Sequence, residues 1–416
     1  MQVDVNVKVR AVTLVSQYSG GSVSSFDSIV IVAAKRTPIG AFQGALAPLT
    51  APQLGAAVIK AALAQSTVAV EAVSEVIMGN VLPAGLGQAP ARQATLHAGL
   101  ARSVGATTIN KVCGSGLKAV MLGYDLLRSG SANVVIAGGM ESMSNAPYLL
   151  PQARSGMRMG HGKVLDHMML DGLEDAYEGK AMGCYAQATA DAYELGREAM
   201  DAFALSSLNR AKAAIATGAF AAEIEPVTIT TRKGDVVVSD DEQPAKAMPE
   251  KIPSLRPAFA KDGSITAANS SSISDGAAAL ILMRESEARA QALKPLARIV
   301  GHASHAQAPA EFTVAPIGAM TTLLAQIGWH KDQVDLWEIN EAFAMVTMLA
   351  MQQLQLDHHK VNVHGGACAL GHPIGASGAR LLVTLLHALQ QQGKQRGITS
   401  LCIGGGEAVA VAIEVL

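Results

Sequence analysis

The sequence has few charged and few aromatic residues. Of its 416 residues, 16% are charged and 4% are aromatic, whereas 50% are hydrophobic. So little polar surface favours a large aliphatic core together with buried subunit interfaces. A chain of this length is also too long for one compact core, so we expect two or three domains or a duplicated fold.

Two classes of partner are disfavoured by what is missing. The formal net charge is −2, and no basic stripe or polybasic tail is present, which argues against nucleic acid as a partner. No apolar run reaches the roughly 18 residues that a membrane-spanning helix needs, so no membrane partner is expected.

The chain has only four cysteines, at positions 113, 184, 368 and 402. None forms a CxxC pair and none has zinc-ligand spacing with histidine, so no metal site is predicted. Scattered single cysteines suit a reducing compartment, and we therefore expect a cytoplasmic protein. Each cysteine is then either an inert core residue or an individually reactive thiol.

Strand-like and helix-like segments alternate along most of the chain, which indicates an α/β architecture with helix-covered sheets. The alternation weakens between residues 144 and 274, where Met, Gly, Pro and charged residues cluster. We interpret residues 144–274 as an inserted domain. Residues 1–27 are rich in Ser and Val and lack a signal-peptide pattern, which predicts an N-terminal extension, either loosely held or disordered.

An internal repeat relates the beginning of the chain to its end. The segment VSEVIMGN resembles VDLWEIN, CGSGLKAVMLGYDLL resembles GASGARLLVTLLHAL, and NVVIAGGMES resembles SLCIGGGEAV. Equivalent residues lie 260, 262 and 267 positions apart, in the pairs Asn80 and Asn340, Gly116 and Gly378, Ile136 and Ile403. Three similar offsets in one order predict two similar α/β halves with an insertion in the first.

Cys113 lies in NKVCGSGLK, between a valine and a Gly-Ser-Gly turn that opens an apolar helix. Gly114 and Gly116 permit a tight strand-to-helix turn at which the cysteine projects, as at a nucleophile elbow. The helix dipole and free N–H groups are expected to lower the pKa of such a thiol from about 8.5. For this cysteine alone, a small buried residue beside a helix cap is an equal alternative.

Three other residues stand next to constrained backbone. His372 is at the middle of the glycine-rich segment GGACALGHPIGASGAR, where a histidine can act as a base toward a thiol. Cys402 ends an apolar strand before three glycines whose N–H groups can hold an oxyanion, although alone it favours a buried strand cysteine. Asn340 ends a strand, where it can orient a water or a carbonyl, or cap a helix.

Together these motifs resemble those of the thiolase family. The matching segments run in family order from about residue 28 to the C-terminus: RTPIGAFQG, GNVLPAGLGQAPARQA, NKVCGSGLKAV, AGGMESMSNAPY, DGLEDAY, TAANSSSISDGAAA, INEAFA, GGACALGHPIGASGAR and CIGGG. The resemblance implies a duplicated five-layer αβαβα fold with an inserted loop domain. The first half would comprise residues 28–143 and 275–294, the insertion residues 144–274, and the second half residues 295–416.

The resemblance also implies a role for each motif residue. Cys113 matches the nucleophile that becomes acylated, and His372 matches the base that activates it. Cys402 matches the second cysteine, which moves the proton of an acetyl methyl group or of the leaving thiol. Asn340, acting through a water, and His372 match the oxyanion hole for an enolate. The N–H groups of Cys113 and Gly404 match the hole for the tetrahedral intermediate.

The family binds coenzyme A (CoA) largely through the inserted domain. Seven positions match its CoA contacts: Leu173, Met182, Phe259, Ala267, Ser271, Ala342 and Phe343. CoA thioesters would therefore be substrates, with no permanently bound cofactor, and the assembly would be a homotetramer or a homodimer. Cys184 and Cys368 match no catalytic position, and we expect them to be inert.

The resemblance implies the activity of an acetyl-CoA C-acetyltransferase, a ping-pong Claisen condensation of two acetyl-CoA to acetoacetyl-CoA and CoA, and its reverse. A degradative 3-ketoacyl-CoA thiolase with longer acyl chains is the alternative. Two other classes stay open. A decarboxylating ketoacyl synthase would not use Cys402 as a proton carrier, and a non-catalytic acyl-CoA-binding protein would form no acyl-enzyme on Cys113.

The sequence departs from the family pattern at four places. Residues 243–245, Gln-Pro-Ala, stand where a basic residue near the CoA phosphates is common, and Lys246 is the nearest substitute. Phe312 replaces the methionine of a Met-Gly pair that is common in short-chain members. Ala181 replaces a histidine, and Glu407 a glutamine. These departures bear on acyl-chain preference and CoA contacts rather than on the chemistry.

Overall fold

The structure, a computed structural model, describes residues 27–416. The predicted N-terminal extension, residues 1–27, therefore lies outside the described residues except for Asp27. The strands are β1 (Ile29–Arg36), β2 (Gly40–Ala41), β3 (Glu75–Gly79), β4 (Gly105–Ile109), β5 (Val134–Ser142), β6 (Tyr148–Leu149), β7 (Leu165–Asp166), β8 (Val227–Thr231), β9 (Gly234–Val238), β10 (Ser274–Arg284), β11 (Ala297–Ala306), β12 (Leu336–Ile339), β13 (Arg396–Ile403) and β14 (Glu407–Val415). The helices are α1 (Ala51–Ser66), α2 (Pro90–His97), α3 (Ser115–Arg128), α4 (Met182–Ala192), α5 (Arg197–Ala216), α6 (Glu242–Lys246), α7 (Glu285–Ala290), α8 (Ala315–Ile327), α9 (Ala344–Leu354), α10 (Ala367–Leu370) and α11 (Ser377–Gln391).

The two halves of the chain repeat one strand arrangement. The hydrogen-bonded strand order is β12-β13-β14-β11-β1-β10-β5-β3-β4, and β2 pairs with β10. In each half a parallel pair, β3 with β5 or β12 with β13, continues into antiparallel strands. An antiparallel contact between β1 and β11 joins the halves. The predicted duplication is confirmed.

Helices α3 and α11 lie side by side in the middle of the molecule. Their apolar side chains share one cluster with one face of the strands of both halves. The opposite faces of the strands are covered by α1 and α2 in the first half and by α8 in the second. The predicted five-layer αβαβα arrangement is therefore confirmed. Because helices cover both faces, the strands β1, β5, β10, β13 and β14 are buried along most of their length rather than on alternate residues.

The segment between β5 and β10 forms most of the molecule that lies outside these layers. The chain leaves β5 at Ser142 and returns at Ser274, and Ser142 is the register partner of Asp275. The segment contains helices α4, α5 and α6 and two short hairpins, β6–β7 and β8–β9. A buried ion-pair cluster fastens it to the sheet, because Arg36 of β1 contacts Glu223 and Asp241.

One helical stretch, Pro309–Ile327, is long and apolar enough to cross a membrane by length and composition. The stretch is not an uninterrupted apolar run of the kind that the sequence was searched for, because it contains Glu311 and three threonines. The stretch includes α8, whose Ala315, Ala319, Met320 and Leu323 are fully buried in the apolar cluster under β11 and β14. The packing of α8 in this cluster thus accounts for its apolar residues.

The first turns of α3 and α11 touch at a pair of repeat-related glycines. A Cβ atom on Gly116 would lie 2.8 Å from the backbone N of Ala379, and one on Gly378 would lie 2.5 Å from the N of Leu117. The absence of both side chains lets the two helix N-termini meet. This contact brings the segment before α3 and the segment before α11 to one place.

Candidate active site

A cavity of about 450 Å³ opens where these two segments meet. Its wall combines residues of both halves with residues of the inserted segment. Ten of the twelve predicted site residues line it: Cys113, Leu173, Met182, Phe259, Ala267, Ser271, Ala342, Phe343, His372 and Gly404. The wall is largely apolar, so charge that develops inside the cavity interacts with few, fixed polar groups.

The other two predicted residues, Asn340 and Cys402, lie directly behind the wall and are fully buried. Asn340 follows β12, and its Nδ2 donates to Nε2 of His372 at 3.4 Å. Cys402 lies near the end of β13, close enough to Cys113 for Cys113 to influence its ionisation. The structure therefore brings all twelve predicted residues together.

The turn at Cys113 differs from the one that the sequence predicts. Gly114 has a helical φ of −79°, whereas Val112 has a φ of +46°. A β-branched residue is rare in this left-handed region, so the backbone strain lies one residue before the cysteine. Ser115 Oγ stabilises the turn by donating to the Val112 carbonyl at 2.7 Å and accepting from Lys111 N at 2.8 Å.

The predicted lowering of the Cys113 pKa is wrong. Burial raises the pKa of Cys113 to about 11, and the backbone N–H groups of Gly404 and Cys113 offset only part of this effect. Removing the thiolate from water outweighs the helix dipole here because the cavity wall is apolar. Cys113 is therefore a neutral thiol at neutral pH, and its activation needs a base.

His372 is held in one orientation by hydrogen bonds to both ring nitrogens. Ser377 Oγ donates to the Pro373 carbonyl at 2.9 Å, so its oxygen accepts from Nδ1–H of His372 at 2.5 Å. This leaves Nε2 as the basic nitrogen, next to Asn340. Burial and, secondarily, Arg380 lower the pKa of His372 to about 3, so the ring is neutral at rest.

The β13–β14 turn carries Cys402 and Gly404 into the site. Burial raises the pKa of Cys402 well above its usual value, and the nearby Cys113 raises it further. Gly405 and Gly406 have φ values of +92° and +89°, which glycine adopts without strain. Glu407 follows them and forms an ion pair with Lys111, which ties this turn to the segment before Cys113.

Sequence reasoning missed Ser115, Ser377 and Glu141. The two serines fix the Cys113 and His372 segments at the starts of α3 and α11. The internal repeat held the signal, because each serine precedes the aligned glycine, Gly116 or Gly378. Glu141 contacts the loop after His372, as described below, and no local sequence pattern points to it.

The structure also locates the positions that depart from the family pattern. Phe312 and Ala181 line the cavity, and Phe312 is 3% exposed. Lys246 forms an ion pair with Glu242 instead of pointing an unpaired charge at a ligand. Within residues 27–416 all four cysteines are free. In the same range, no group of three His, Cys, Asp or Glu side chains is arranged to hold a metal ion.

The arrangement can support nucleophilic chemistry with proton transfer. Cys113 supplies a thiol, His372 a neutral imidazole with its basic nitrogen defined, and Cys402 a second thiol. The thiolate of Cys402, once formed, is a strong base because burial raises its pKa. The N–H of Gly404 interacts with the Cys113 sulfur, as a donor aimed at the reacting atoms would.

Comparison with known proteins agrees with this architecture. The family descriptions "Thiolase, N-terminal domain" and "Thiolase, C-terminal domain" match residues 29–286 and 293–415. An acetyl-CoA acetyltransferase of Pseudomonas aeruginosa is 51% identical over 93% of this chain and 99% of its own length. One from Escherichia coli is 52% identical over 92% of this chain and 98% of its own.

Two solved structures are also similar. A thiolase from Ascaris suum in complex with coenzyme A has a TM-score of 0.89 and 43% identity, covering 94% of this chain and 100% of its own. The acetyl-CoA acetyltransferase of Bacillus anthracis has a TM-score of 0.92 and 42% identity, covering 94% of this chain and 99% of its own. The chain belongs to the thiolase family.

Proposed function

We propose that the protein is an acetyl-CoA C-acetyltransferase, which condenses two acetyl-CoA to acetoacetyl-CoA and CoA and catalyses the reverse thiolysis. The observation that carries this proposal is the convergence of two thiols, Cys113 and Cys402, on His372 and Asn340 at one apolar cavity. These groups suit a reaction in which one thiol acts as the nucleophile and a second group moves a proton to or from carbon. The names of the relatives that are about half identical favour the short-chain activity over the degradative one.

In the first half-reaction, the Cys113 sulfur attacks the carbonyl carbon of acetyl-CoA while Nε2 of His372 takes the thiol proton. The N–H groups of Cys113 and Gly404 donate to the tetrahedral oxyanion. The carbon–sulfur bond to CoA then breaks, and the leaving CoA thiolate takes the proton of Cys402. The products are acetyl-Cys113, free CoA, a protonated His372 and a Cys402 thiolate.

In the second half-reaction, the Cys402 thiolate removes a proton from the methyl group of another acetyl-CoA. The enolate oxygen accepts hydrogen bonds from His372 and from a water held by Asn340. The enolate carbon attacks the acetyl carbonyl on Cys113, which forms the carbon–carbon bond and releases the Cys113 thiolate. His372 returns its proton to that thiolate, so all three groups regain their starting states.

The test is CoA-dependent thiolysis of 3-ketoacyl-CoA substrates from four carbons upward, with kcat/KM measured for each. We expect the highest value at four carbons and a sharp fall beyond it. If kcat/KM stays constant or rises with chain length, the protein is a degradative 3-ketoacyl-CoA thiolase. If no substrate of any length is turned over, the assignment as a thiolase enzyme is refuted.

Two variants separate the remaining classes. Cys402→Ser is expected to abolish both condensation and thiolysis, whereas a decarboxylating ketoacyl synthase would tolerate it. Incubation with acetyl-CoA should add one acetyl group, detected by intact mass, to the wild type but not to Cys113→Ala. A protein that only binds acyl-CoA would show no such adduct.

We also infer that residues 144–274 form a CoA-binding loop domain between the two parts of the first half, residues 28–143 and 275–294. Residues 295–416 form the second half. The proposed contacts from this domain are Leu173, Met182, Phe259, Ala267 and Ser271, with Ala342 and Phe343 from the second half. The support is their position on the cavity wall and the similarity to a thiolase bound to coenzyme A.

We propose that the chain assembles as a homotetramer built from homodimers. The β6–β7 hairpin exposes large apolar side chains, including Tyr148 and Val164 at 68% and 59%. Among the described strands, β4 ends the sheet and pairs on one side only. Light scattering after size exclusion should give a tetramer, and Tyr148→Asp with Val164→Asp should reduce it to dimers. A wild-type monomer would contradict the proposal.

We place the protein in the cytoplasm, since all four cysteines are free and a reducing compartment preserves the two thiols of the site. Cell fractionation with activity assays tests this assignment. Activity in an oxidising compartment would contradict it.

A further inference from the structure

Glu141 is a fully buried carboxylate at the end of β5 that has no part in the chemistry described above. It accepts four hydrogen bonds and has no cationic partner among them. Oε1 accepts from Asn80 Nδ2 at 2.7 Å and Leu82 N at 3.1 Å. Oε2 accepts from Val81 N at 2.9 Å and Gly375 N at 2.9 Å. A buried carboxyl group surrounded only by N–H donors needs a specific reason to be there.

The four donors come from both halves of the molecule. Asn80, Val81 and Leu82 follow β3 in the first half, as Asn340 follows β12 in the second. Gly375 belongs to the second half and lies three residues after His372, in the loop that leads into α11. Glu141 is therefore a bridge from the first half to the backbone of the loop that carries His372.

The loop that contains Gly375 packs closely against β5 next to Glu141. A Cβ atom on Gly375 would lie 2.4 Å from Oε2 of Glu141. One on Gly139 would lie 2.0 Å from the Gly375 carbonyl oxygen. Neither glycine has room for a side chain, so the loop can approach β5 closely enough for the Gly375 N–H to bond the Glu141 carboxyl group.

His372 is also held by hydrogen bonds that do not involve Glu141. Its backbone N–H donates to the Ser272 carbonyl at 3.1 Å and to Ser274 Oγ at 3.3 Å, and its ring is held by Ser377 and Asn340. Ser274 is the first residue of β10, so the backbone bonds hold His372 to the first half and the ring bonds hold it to the second. The bond from Gly375 to Glu141 is a further attachment, three residues along the chain, which fixes the loop relative to β5.

We propose that Glu141 is a positioning residue of the reaction, which sets the distance between His372 and Cys113 by anchoring the Gly375 N–H. This inference rests on the proposed function. If the hydrogen bond between Gly375 and Glu141 is weakened, the chemical steps should become slower. The shape of the cavity and the binding of the substrate should not change.

The experiment compares Glu141→Gln and Glu141→Asp with the wild type in acetoacetyl-CoA thiolysis at about pH 8, where the Glu141 carboxyl group is ionised, and well below each variant's Tm. Gln presents an N–H₂ group to at least one N–H donor, and Asp withdraws the carboxylate by one methylene. For both we expect kcat to fall about tenfold or more while KM changes less than about twofold. Asn80→Asp added to Glu141→Gln supplies an acceptor for the new N–H₂ group, and we expect it to recover part of the lost kcat.

Glu223→Gln is the matched control, because Glu223 is equally buried but contacts Arg36 and Thr384 away from the cavity. It should lower Tm and leave kcat within about twofold. If the Glu141 variants behave like this control, with a lower Tm and an unchanged kcat, the positioning role is refuted. A wild type without thiolysis would instead refute the proposed function, and the positioning role with it.

Discussion

Phe312 is a bulky aromatic side chain in the wall of the cavity that contains Cys113. Phe312→Ala would enlarge the cavity at that wall, and we expect longer acyl groups to enter. The ratio of kcat/KM for a six-carbon to a four-carbon 3-ketoacyl-CoA should rise about tenfold or more, since each accommodated methylene is worth about 1–3 kcal/mol. Steady-state thiolysis with both substrates measures this ratio.

Phe203→Ala controls for the loss of a buried aromatic ring in the same apolar cluster, away from the cavity wall. Both variants should be less stable than the wild type by about 3–5 kcal/mol. Only the Phe312 variant should change the chain-length ratio. An unchanged ratio would show that another part of the wall limits the acyl group.

Cys113 leads to a prediction about pH, because burial raises the pKa of its thiol to about 11. Below that pH the thiolate fraction of the free enzyme rises about tenfold per pH unit, since each unit lowers the proton concentration tenfold. Alkylation of Cys113 by iodoacetamide should therefore accelerate about tenfold per unit from pH 7 to pH 10. Peptide mass spectrometry identifies the alkylated cysteine, with Cys113→Ala as the control.

A plateau of the alkylation rate near pH 7 to 8 would contradict this assignment, because it would mean a thiolate already formed in the free enzyme. The predicted slope implies that turnover at neutral pH depends on His372 taking the proton as the thioester reacts. The lowered pKa of His372, about 3, is consistent with this order, since the ring stays neutral and able to accept a proton.

The contact between α3 and α11 is the element-level feature on which the site depends. In Gly116→Ala, the new methyl group would lie 2.8 Å from Ala379 N and 3.1 Å from the Gly375 and Ala376 carbonyl oxygens. These are backbone atoms, so the helices must separate. We expect a loss of about 2–3 kcal/mol in the free energy of unfolding and a severe loss of activity, measured by urea denaturation and thiolysis.

Gly123→Ala is the matched control in the same helix. Its methyl group would meet Leu282 Cδ1 and Val135 Cγ1 at 3.1 Å, which are the ends of side chains that can shift. The gain in helix propensity, about 1 kcal/mol, offsets part of that crowding. Equal effects of the two substitutions would show that the glycine contact between the helices has no special importance.

The sequence was sufficient to predict the elements but not their contacts. The repeat revealed the duplicated halves, and the alternation of strand-like and helix-like segments indicated the α/β architecture that the structure has. Residues that act through local motifs, such as Cys113 and His372, were identified from their glycine-rich surroundings. Glu141 was not, because its four donors come from residues 80–82 and from Gly375, which is 234 positions away.

Two errors in the prediction have a physical cause beyond local sequence. Gly114 and Gly116, which follow the nucleophile, were expected to provide the unusual backbone of the turn, but the left-handed conformation lies at Val112, before the nucleophile. The pKa of Cys113 was expected to fall because the helix dipole is visible in the sequence. Burial acts in the opposite direction and is stronger, and it depends on cavity walls from the inserted segment and the second half.

The whole molecule should lose stability as the pH rises from 6.5 to 8. Burial raises the pKa of Glu141 to about 7 and that of Glu338 to about 8, in the latter case despite the nearby Arg380. Both values exceed the unfolded value of about 4.3, so each group keeps a proton in the folded state that the unfolded chain has already released. That stabilisation is fully present below the unfolded pKa and is lost as pH rises through the folded pKa.

Three histidines partly oppose this fall. His372, His358 and His364 have lowered pKa values, so near pH 6.5 the unfolded chain binds protons on them that the folded protein does not, and it releases these by about pH 7.5. Burial raises the pKa of Glu341 as well, which adds to the fall. At about 1.4 kcal/mol per pH unit for each retained proton, the free energy of unfolding should fall by roughly 1–2 kcal/mol between pH 6.5 and 8. Urea denaturation at several pH values measures the slope.

Glu338→Gln tests the origin of that slope. The variant should be less stable at every pH, because it leaves the buried Arg380 without its ion-pair partner. Its free energy of unfolding should nevertheless fall less steeply between pH 6.5 and 8, since one of the titrating carboxyl groups is gone. A wild-type stability that stays constant or rises over this range would mean that Glu141 and Glu338 are ionised in the folded protein. The four N–H donors around Glu141 and the guanidinium of Arg380 would then outweigh the cost of burying the two charges.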